Sequence, residues 1–434
     1  MTANARDKLL SLFSLQRGEL RLLALGVLFV FSLFLAYALL RPIRDALGIQ
    51  GGTEELKWLF TATFVATLLC SLAAMWVSGR VRRRLYTDAI FAFFAVNLLL
   101  FFVAMKLIGE EDAGFAALCR VFYVWVSVFN LAVISSGWSV LADVFNREQS
   151  QRMFGILSAG ASLGGIAGSA AVGILQGVAS EHFIFLSAFL LLFALWLKNA
   201  LMNAALSLLA EENERARFQE RFSRPLPTCN PLQGLRILAA SAHLRLFVGF
   251  VLLLTSVSTF LYMEQGRVVY VTFTDTQARR AAFADIELIV QAASFFIQIF
   301  LSAKIARHLG MKWLLGLLGF VVAAGFALLA WAHPAFWAIA LVMSVRRIGE
   351  YALVKPAREM LFVPLGAEEK YKVKNFLDTV VYRGGDMLSA QAEGWTLARL
   401  GAGGTLLVGS AISLAWGALG LKLSGKYEDE RIAA

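Results

Sequence analysis

Charge is what this sequence has least of. Asp, Glu, Lys and Arg make up 16% of its 434 residues, against about 25% in an average soluble domain. The three cysteines, Cys70, Cys119 and Cys229, have neither the number nor the spacing of a disulfide or metal framework. The four histidines, at 182, 243, 308 and 333, sit near the ends of apolar runs or in loops and form no HExxH or zinc-ligand pattern, which removes support for a membrane metalloenzyme. No GKS or GKT follows the glycines of 155–175, so a phosphate-cradling loop is disfavoured. No nucleophile–base constellation appears, and an enzyme is the least favoured class. No polar stretch is long enough for a separate soluble domain. The first apolar run, Leu22 to Leu40, lacks a small-residue cleavage site and reads as a retained span.

What is abundant is apolar. Hydrophobic residues make up 59% of the chain and the mean hydropathy is +0.69. Runs of about 18 residues or more, each long enough to cross roughly 30 Å of hydrocarbon, recur throughout. Spans are expected near 22–40, 56–78, 89–108, 116–142, 153–175, 183–201, 244–262, 283–302, 313–331, 335–354, 375–397 and 403–421. All must be helical, because a backbone in lipid has to satisfy its own hydrogen bonds. The fold class is therefore an all-α polytopic membrane protein of twelve transmembrane helices. Trp58 and Trp76 bracket span 2, and Trp313 and Trp331 bracket span 9, as interfacial aromatics do.

The formal charge of +10 would suggest nucleic acid in a soluble chain. Here the positive-inside rule accounts for it. With residues near span ends assigned to the adjoining loop, 28 of the 40 Lys and Arg fall on the side of the N-terminus and 8 on the other. Both termini are expected to be cytoplasmic.

The chain divides into a six-helix half, 1–201, a linker, 202–243, and a second six-helix half, 244–434. The linker contains EENERARFQERFSRPLP, read as a surface helix followed by a Pro-punctuated connector. SGRVRRRL (78–85) matches SAKIARHL (302–309) at an offset of 224, and LGG (163–165) corresponds to RGG (383–385) at 220. Six spans plus six, with a basic loop after the second of each half, resembles the major facilitator architecture. Halves of that kind enclose a midplane site and alternate its access. Span 5, crowded with Gly, Ala and Ser, is expected to pack closely on a neighbour.

Charges inside spans are costly and face partners or water-filled cavities. Span 4 begins with Arg120 and ends at Asp143; span 10 carries Arg346, Arg347 and Glu350, followed by Lys355, Arg358 and Glu359; span 11 holds Asp378, Arg383 and Asp386. Glu350 is four residues after Arg346 and three after Arg347, and Asp386 is three after Arg383, so each shares a helix face with a possible partner. Arg346 and Arg347 point about 100° apart, so Glu350 is not expected to neutralise both. Arg41, Arg44 and Arg120 come from the first half. Two readings stay open: structural ion pairs fastening spans together, or a basic cavity for an anion, phosphate above all, whose oxygens match the guanidinium fork.

Two stretches carry a family resemblance. LRPIRDALGI (40–49) resembles the L-R-x-x-K-D-x-L pattern in the first span of the ATP:ADP antiporter family, the nucleotide translocases of plastids and obligate intracellular bacteria. KPAREMLFVPLGAEEKYKVKNFLD (355–378) resembles that family's P-x-K-E-M-x-x-I-P-L stretch after span 10 and the E-x-K-x-K-x-K-x-x-x-D that follows. The resemblance implies a bacterial inner-membrane antiporter exchanging nucleotides, with basic residues gripping phosphates. The family's first-span lysine falls on Arg44, followed by Asp45, and its lysine after span 10 falls on Arg358, followed by Glu359. The sequence departs from the pattern in span 4, where WVSVFNLAV (125–133) offers Asn130 in place of a glutamate. It departs again in span 7, where SVSTFLYMEQ (256–265) has Thr259 near the family's glutamate position and Glu264 a turn further on.

The expected substrate-binding set is Arg41, Arg44, Asp45, Arg120, Asn130, Glu264, Arg346, Arg347, Glu350, Arg358, Asp378 and Arg383. By the 220 offset Arg44 corresponds to Glu264. Asp45, Glu264, Glu350, Asp378 and Asp386 are the carboxylates that a proton-coupled mechanism would use, whereas electroneutral exchange needs none. The expected function is secondary transport of an anionic, phosphorylated solute by a monomer in the bilayer, without cofactor or nucleic acid. An amphipathic or lipid-linked anion, a drug-like compound, or a scaffold or sensor that moves nothing are the competing readings.

Overall fold

The computed structural model describes residues 19–109, 111–112, 114–209, 211–225, 235, 237–238, 241–300, 302–362, 373–374 and 376–433. Cys229, residues 226–234 of the linker, residues 363–372 of the second motif and the side chains of 302–309 lie outside the described set.

Among the described residues every regular element is helical. Span 1 is Glu19–Gly48, span 2 Leu56–Ser78, span 3 Arg83–Leu107, span 4 Phe115–Val144, span 5 Arg147–Ile174 and span 6 Ser180–Leu208. A polar helix, Glu212–Ser223, follows in the linker. Span 7 is Ala242–Thr272, span 8 Thr276–Phe300 and span 9 Gly310–Ala332. Span 10 runs from Phe336 through Met360, span 11 from Leu377 to residue 400, and span 12 from 402 onward. Ten helical stretches among the described residues satisfy length and apolarity for crossing a membrane, the last of them containing both spans 11 and 12. Span 10 is absent from that set because its own charges lower its apolarity.

Several helices overrun their apolar runs. Span 1 continues past Leu40, through Pro42, to Gly48. Pro42 removes one backbone donor, yet Ile43, Ala46, Leu47 and Ile49 are all buried, and that packing sustains the extension. Spans 11 and 12 are joined at Gly401, with φ of 69°. Only a residue without Cβ takes that conformation cheaply, so one glycine suffices where a short loop is expected.

Contacts divide the chain into two compact units, Met1–Arg44 with Cys70–Thr228, and Asp45–Leu69 with Cys229–Ala434. In the first, span 5 lies directly on span 1: a Cβ on Gly164 would strike the Phe31 carbonyl and the Leu35 amide, and one on Gly168 would sit 3.0 Å from the Leu35 carbonyl. Span 5 starts with a reciprocal cap, Gln149 N to Asn146 Oδ1 at 2.8 Å and Asn146 N to Gln149 Oε1 at 3.2 Å. In the second unit span 11 lies on span 7, where a Cβ on Gly385 would strike the side chains of Thr255 and Leu252. The core of this unit gathers Phe247, Phe250, Phe326 and Trp416. Spans 9 and 12 approach through Gly319 and Gly417, with Ser413 Oγ donating to the Gly319 carbonyl at 2.9 Å.

Candidate functional site

In the first unit Arg44 reaches span 4. Its guanidinium lies 5.2 Å from the centre of the Tyr123 ring and donates to Ser127 Oγ at 3.5 Å. Tyr123 and Ser127 are one helical turn apart, so a single face of span 4 receives this side chain. Arg41 is half-buried on span 1, and Arg120 is exposed at the start of span 4. Asn130, half-buried, opens a five-residue π-helical segment, Asn130–Ile134, within span 4.

Several other charges of this unit hold helices together. Lys198, fully buried on span 6, pairs with Asp88 of span 3. Arg83 pairs with Asp143 at 2.6 Å, and Arg221 of the linker helix donates to the Asp143 carbonyl at 3.0 Å. Arg152 grips Glu19 with both arms, at 3.0 and 2.9 Å. A cavity of about 750 Å³ beside these pairs is lined by Glu19, Arg152, Arg217, Phe218 and Arg221 among others, and by none of the expected substrate-binding residues.

The second unit contains most of the expected set. Asp45 accepts from Tyr262 Oη at 2.8 Å. Arg346 donates to Glu350 at 2.9 Å and to Ser258 of span 7. Arg347 points elsewhere: it makes a two-armed pair with Glu287 of span 8, at 2.6 and 3.0 Å, and Gln291 donates to the same carboxylate at 2.9 Å. Arg358 lies 3.6 Å from Asp378, and the neighbouring Glu359 takes Lys374 on both oxygens at 2.8 Å. Arg383 is 3.8 Å from Asp386, which also accepts from Thr259 at 3.2 Å. Tyr382 is within electrostatic reach of Glu350, Asp386, Arg346 and Arg358. Spans 7, 10 and 11 thus bring Arg346, Glu350, Arg358, Asp378, Arg383 and Asp386 into one neighbourhood.

That neighbourhood is balanced, three guanidinium groups against three carboxylates. Yet Nε of Arg346 and Nε of Arg358 are buried with no hydrogen-bond partner among the described residues. A buried donor left without an acceptor is costly, so each is a place where a solute oxygen would be welcomed.

Asn130 and Glu350 occupy equivalent places. They are separated by 220 residues, and each begins a five-residue π-helical segment, in spans 4 and 10 respectively. A third such segment begins one residue before Asp378, at Leu377. Single π turns inside α-helices are found frequently at functional sites, because the extra residue re-aims the side chains beyond it.

Glu264 is fully buried and held by Arg267 Nε at 3.0 Å and by His333 Nδ1 at 2.7 Å. Arg267, His333, Glu393 and Glu287 are absent from the expected set. Glu287 and Glu393 lie inside expected spans, and the rule that intramembrane charges have partners applies to them equally. Arg267 and His333 lie just beyond expected span ends, where charge is ordinary.

A family model for the Major Facilitator Superfamily matches residues 22–354. No curated protein matches by sequence. The fold is similar to that of the nucleoside transporter NupG, with TM-score 0.61, 12% identity, 94% of this chain covered and 99% of that one. It is similar to a bacterial homologue of the iron transporter ferroportin in an inward-facing state, with TM-score 0.63, 14% identity, and 95% and 98% covered. The xylose transporter XylE from E. coli gives TM-score 0.59 at 10% identity, with 92% and 97% covered.

Proposed function

The chain belongs to the Major Facilitator Superfamily, and as a member it is an integral membrane protein and a secondary transporter; from that premise we propose that its solute is an anion bearing phosphate, a nucleotide exchanged for another nucleotide. The observation that carries this reading is the pair of buried Nε donors on Arg346 and Arg358 that have no acceptor among the described residues. Phosphate oxygens satisfy such donors, and the fork geometry of guanidinium suits them better than ammonium would. The Arg358–Asp378 contact of 3.6 Å is long for a charge-assisted hydrogen bond, so an entering phosphate replaces a weak contact with a strong one. The two motifs similar to the ATP:ADP antiporter family add support, since Arg44 and Arg358 stand at that family's basic positions. The loop asymmetry of Lys and Arg supports insertion in a bacterial inner membrane with both termini cytoplasmic, and the chain is taken to act as a monomer.

Vesicles carrying the purified protein test the proposal. Labelled ATP or ADP accumulates when unlabelled nucleotide is inside and stays out when it is not. Arg358→Gln reduces uptake at least about tenfold, which corresponds to roughly 1.4 kcal/mol of lost interaction. Absence of uptake with either nucleotide, loaded or unloaded, eliminates the nucleotide version. Stabilisation by a different phosphorylated compound then identifies the anion class.

A further inference from the structure

Four ionisable side chains meet where spans 7, 9 and 11 end. Glu264 on span 7 is 1% exposed and Glu393 on span 11 is 0% exposed. Arg267 bonds Glu264 Oε2 through Nε at 3.0 Å and through a terminal nitrogen at 2.8 Å. The same terminal nitrogen lies 2.5 Å from Glu393 Oε1, and neither Glu393 oxygen has a well-aligned hydrogen bond among the described residues. His333, just after span 9, closes on the other oxygen of Glu264 at 2.7 Å and is 31% exposed. The segment before span 2 completes the surroundings. Glu54 there is 3.9 Å from Lys57, and Lys57 packs its side chain against Gly394.

The charges do not close. Glu264 and Glu393 face one shared guanidinium, and the outer pair Glu54 and Lys57 cancels itself. One negative charge is left on two buried carboxylates, and a buried charge without compensation is far more costly than the same group neutralised. A metal ion is a poor remedy, because Arg267 already stands between the two carboxylates. A proton fits. His333 offers a path to it, since its side chain is 31% exposed while Nδ1 contacts buried Glu264.

We propose that Glu264, Arg267, His333 and Glu393 form a proton-binding site, taking up one proton per chain and coupling transport to it. Proton uptake at Glu393 releases Arg267 wholly to Glu264 and loosens the tie between spans 7 and 11. Proton loss restores the bridge. The cluster is thereby a latch within the second unit whose state depends on protonation. This inference rests on the transport reading and not on the identity of the solute.

Infrared difference spectroscopy on the full-length protein in vesicles, titrated across about pH 5 to 8 where imidazole changes charge, reads the site directly. The wild type is expected to show a buried carboxyl or imidazole titration that belongs to this cluster. Glu393→Gln removes it, His333→Gln displaces it by about one pH unit or more, and Glu54→Gln leaves it in place. Glu393→Asp, which keeps the charge, retains a titration and serves if Glu393→Gln does not fold. A wild type without such a titration, or one unchanged in both Glu393→Gln and His333→Gln, overturns the proposal. Titration without nucleotide uptake refutes the nucleotide reading alone; nucleotide exchange with a silent cluster refutes this one alone.

Discussion

Arg346 and Arg347 are sequence neighbours with different work. Arg347 is clamped by Glu287 with two arms in a buried setting, so removing one partner takes the two-armed ion pair from a buried charge. Arg347→Met is expected to cost about 3–5 kcal/mol of stability, while the double replacement Arg347→Met with Glu287→Met recovers most of it. Denaturant unfolding in detergent of the two single variants and the double variant checks this coupling. Arg358 lies opposite Asp378, which is 46% exposed, and a partly solvated pair of that length contributes little. Arg358→Gln is therefore expected to unfold within about 1 kcal/mol of wild type while losing its stabilisation by nucleotide. The sequence shows which of these pairs lie on one helix: Glu350 after Arg346 and Asp386 after Arg383 follow from spacing. The Glu287 pair does not, because its partner is 60 residues upstream and meets Arg347 only after spans 8 and 10 pack. The same reason hides Arg267 and Glu393 from a linear reading.

Elements were legible to the extent that period and composition report them. The glycines of span 5 predict close packing, and Gly164 proves to rest on the backbone of Phe31 and Leu35. Gly164→Val pushes branched carbons into that backbone and is expected to cost about 1–3 kcal/mol. Gly155→Val meets nothing within 4 Å, so it isolates the packing effect from helix propensity. Folded yield by size-exclusion chromatography and the melting midpoint of each variant compare the two. The π-helical segments left no trace in the sequence, because one extra residue in a continuous apolar run alters neither its length nor its composition. Their effect is nonetheless testable. Deleting Ala352 from Glu350–Val354 converts the segment toward regular α-helix and turns everything after it by about 100° relative to Arg346. Arg358 is then carried away from Arg346 and Glu350, so the deletion variant is expected to insert in the membrane yet lose solute binding. Retention of binding would show that the π turn has no part in the site.

At the scale of the molecule, the apolar runs made the architecture readable, since lipid permits only a few solutions. What they could not give is how far each helix outruns its apolar run, because packing decides that, as in the eight residues that span 1 adds beyond Leu40. Sidedness is the remaining whole-molecule question, and it bears on the proton site. Arg217, exposed on the linker helix, and Glu111, exposed after span 3, are separated by three crossings, spans 4, 5 and 6, so they must lie on opposite sides of the bilayer. In a background with Cys70, Cys119 and Cys229 replaced by Ser, an impermeant maleimide applied to intact cells is expected to label Glu111→Cys and to reach Arg217→Cys only in inverted vesicles. The reverse pattern would invert the assignment that rests on Lys and Arg. His333 follows span 9, and Glu111 follows span 3; an even number of crossings separates them, so they share a side. The predicted labelling would therefore put His333 on the outer side of the membrane, where an inward proton gradient supplies the proton. If Glu111→Cys reacts only from the cytoplasm, the same cluster would instead draw its proton from the side of lower proton activity, and an inward gradient would not load it.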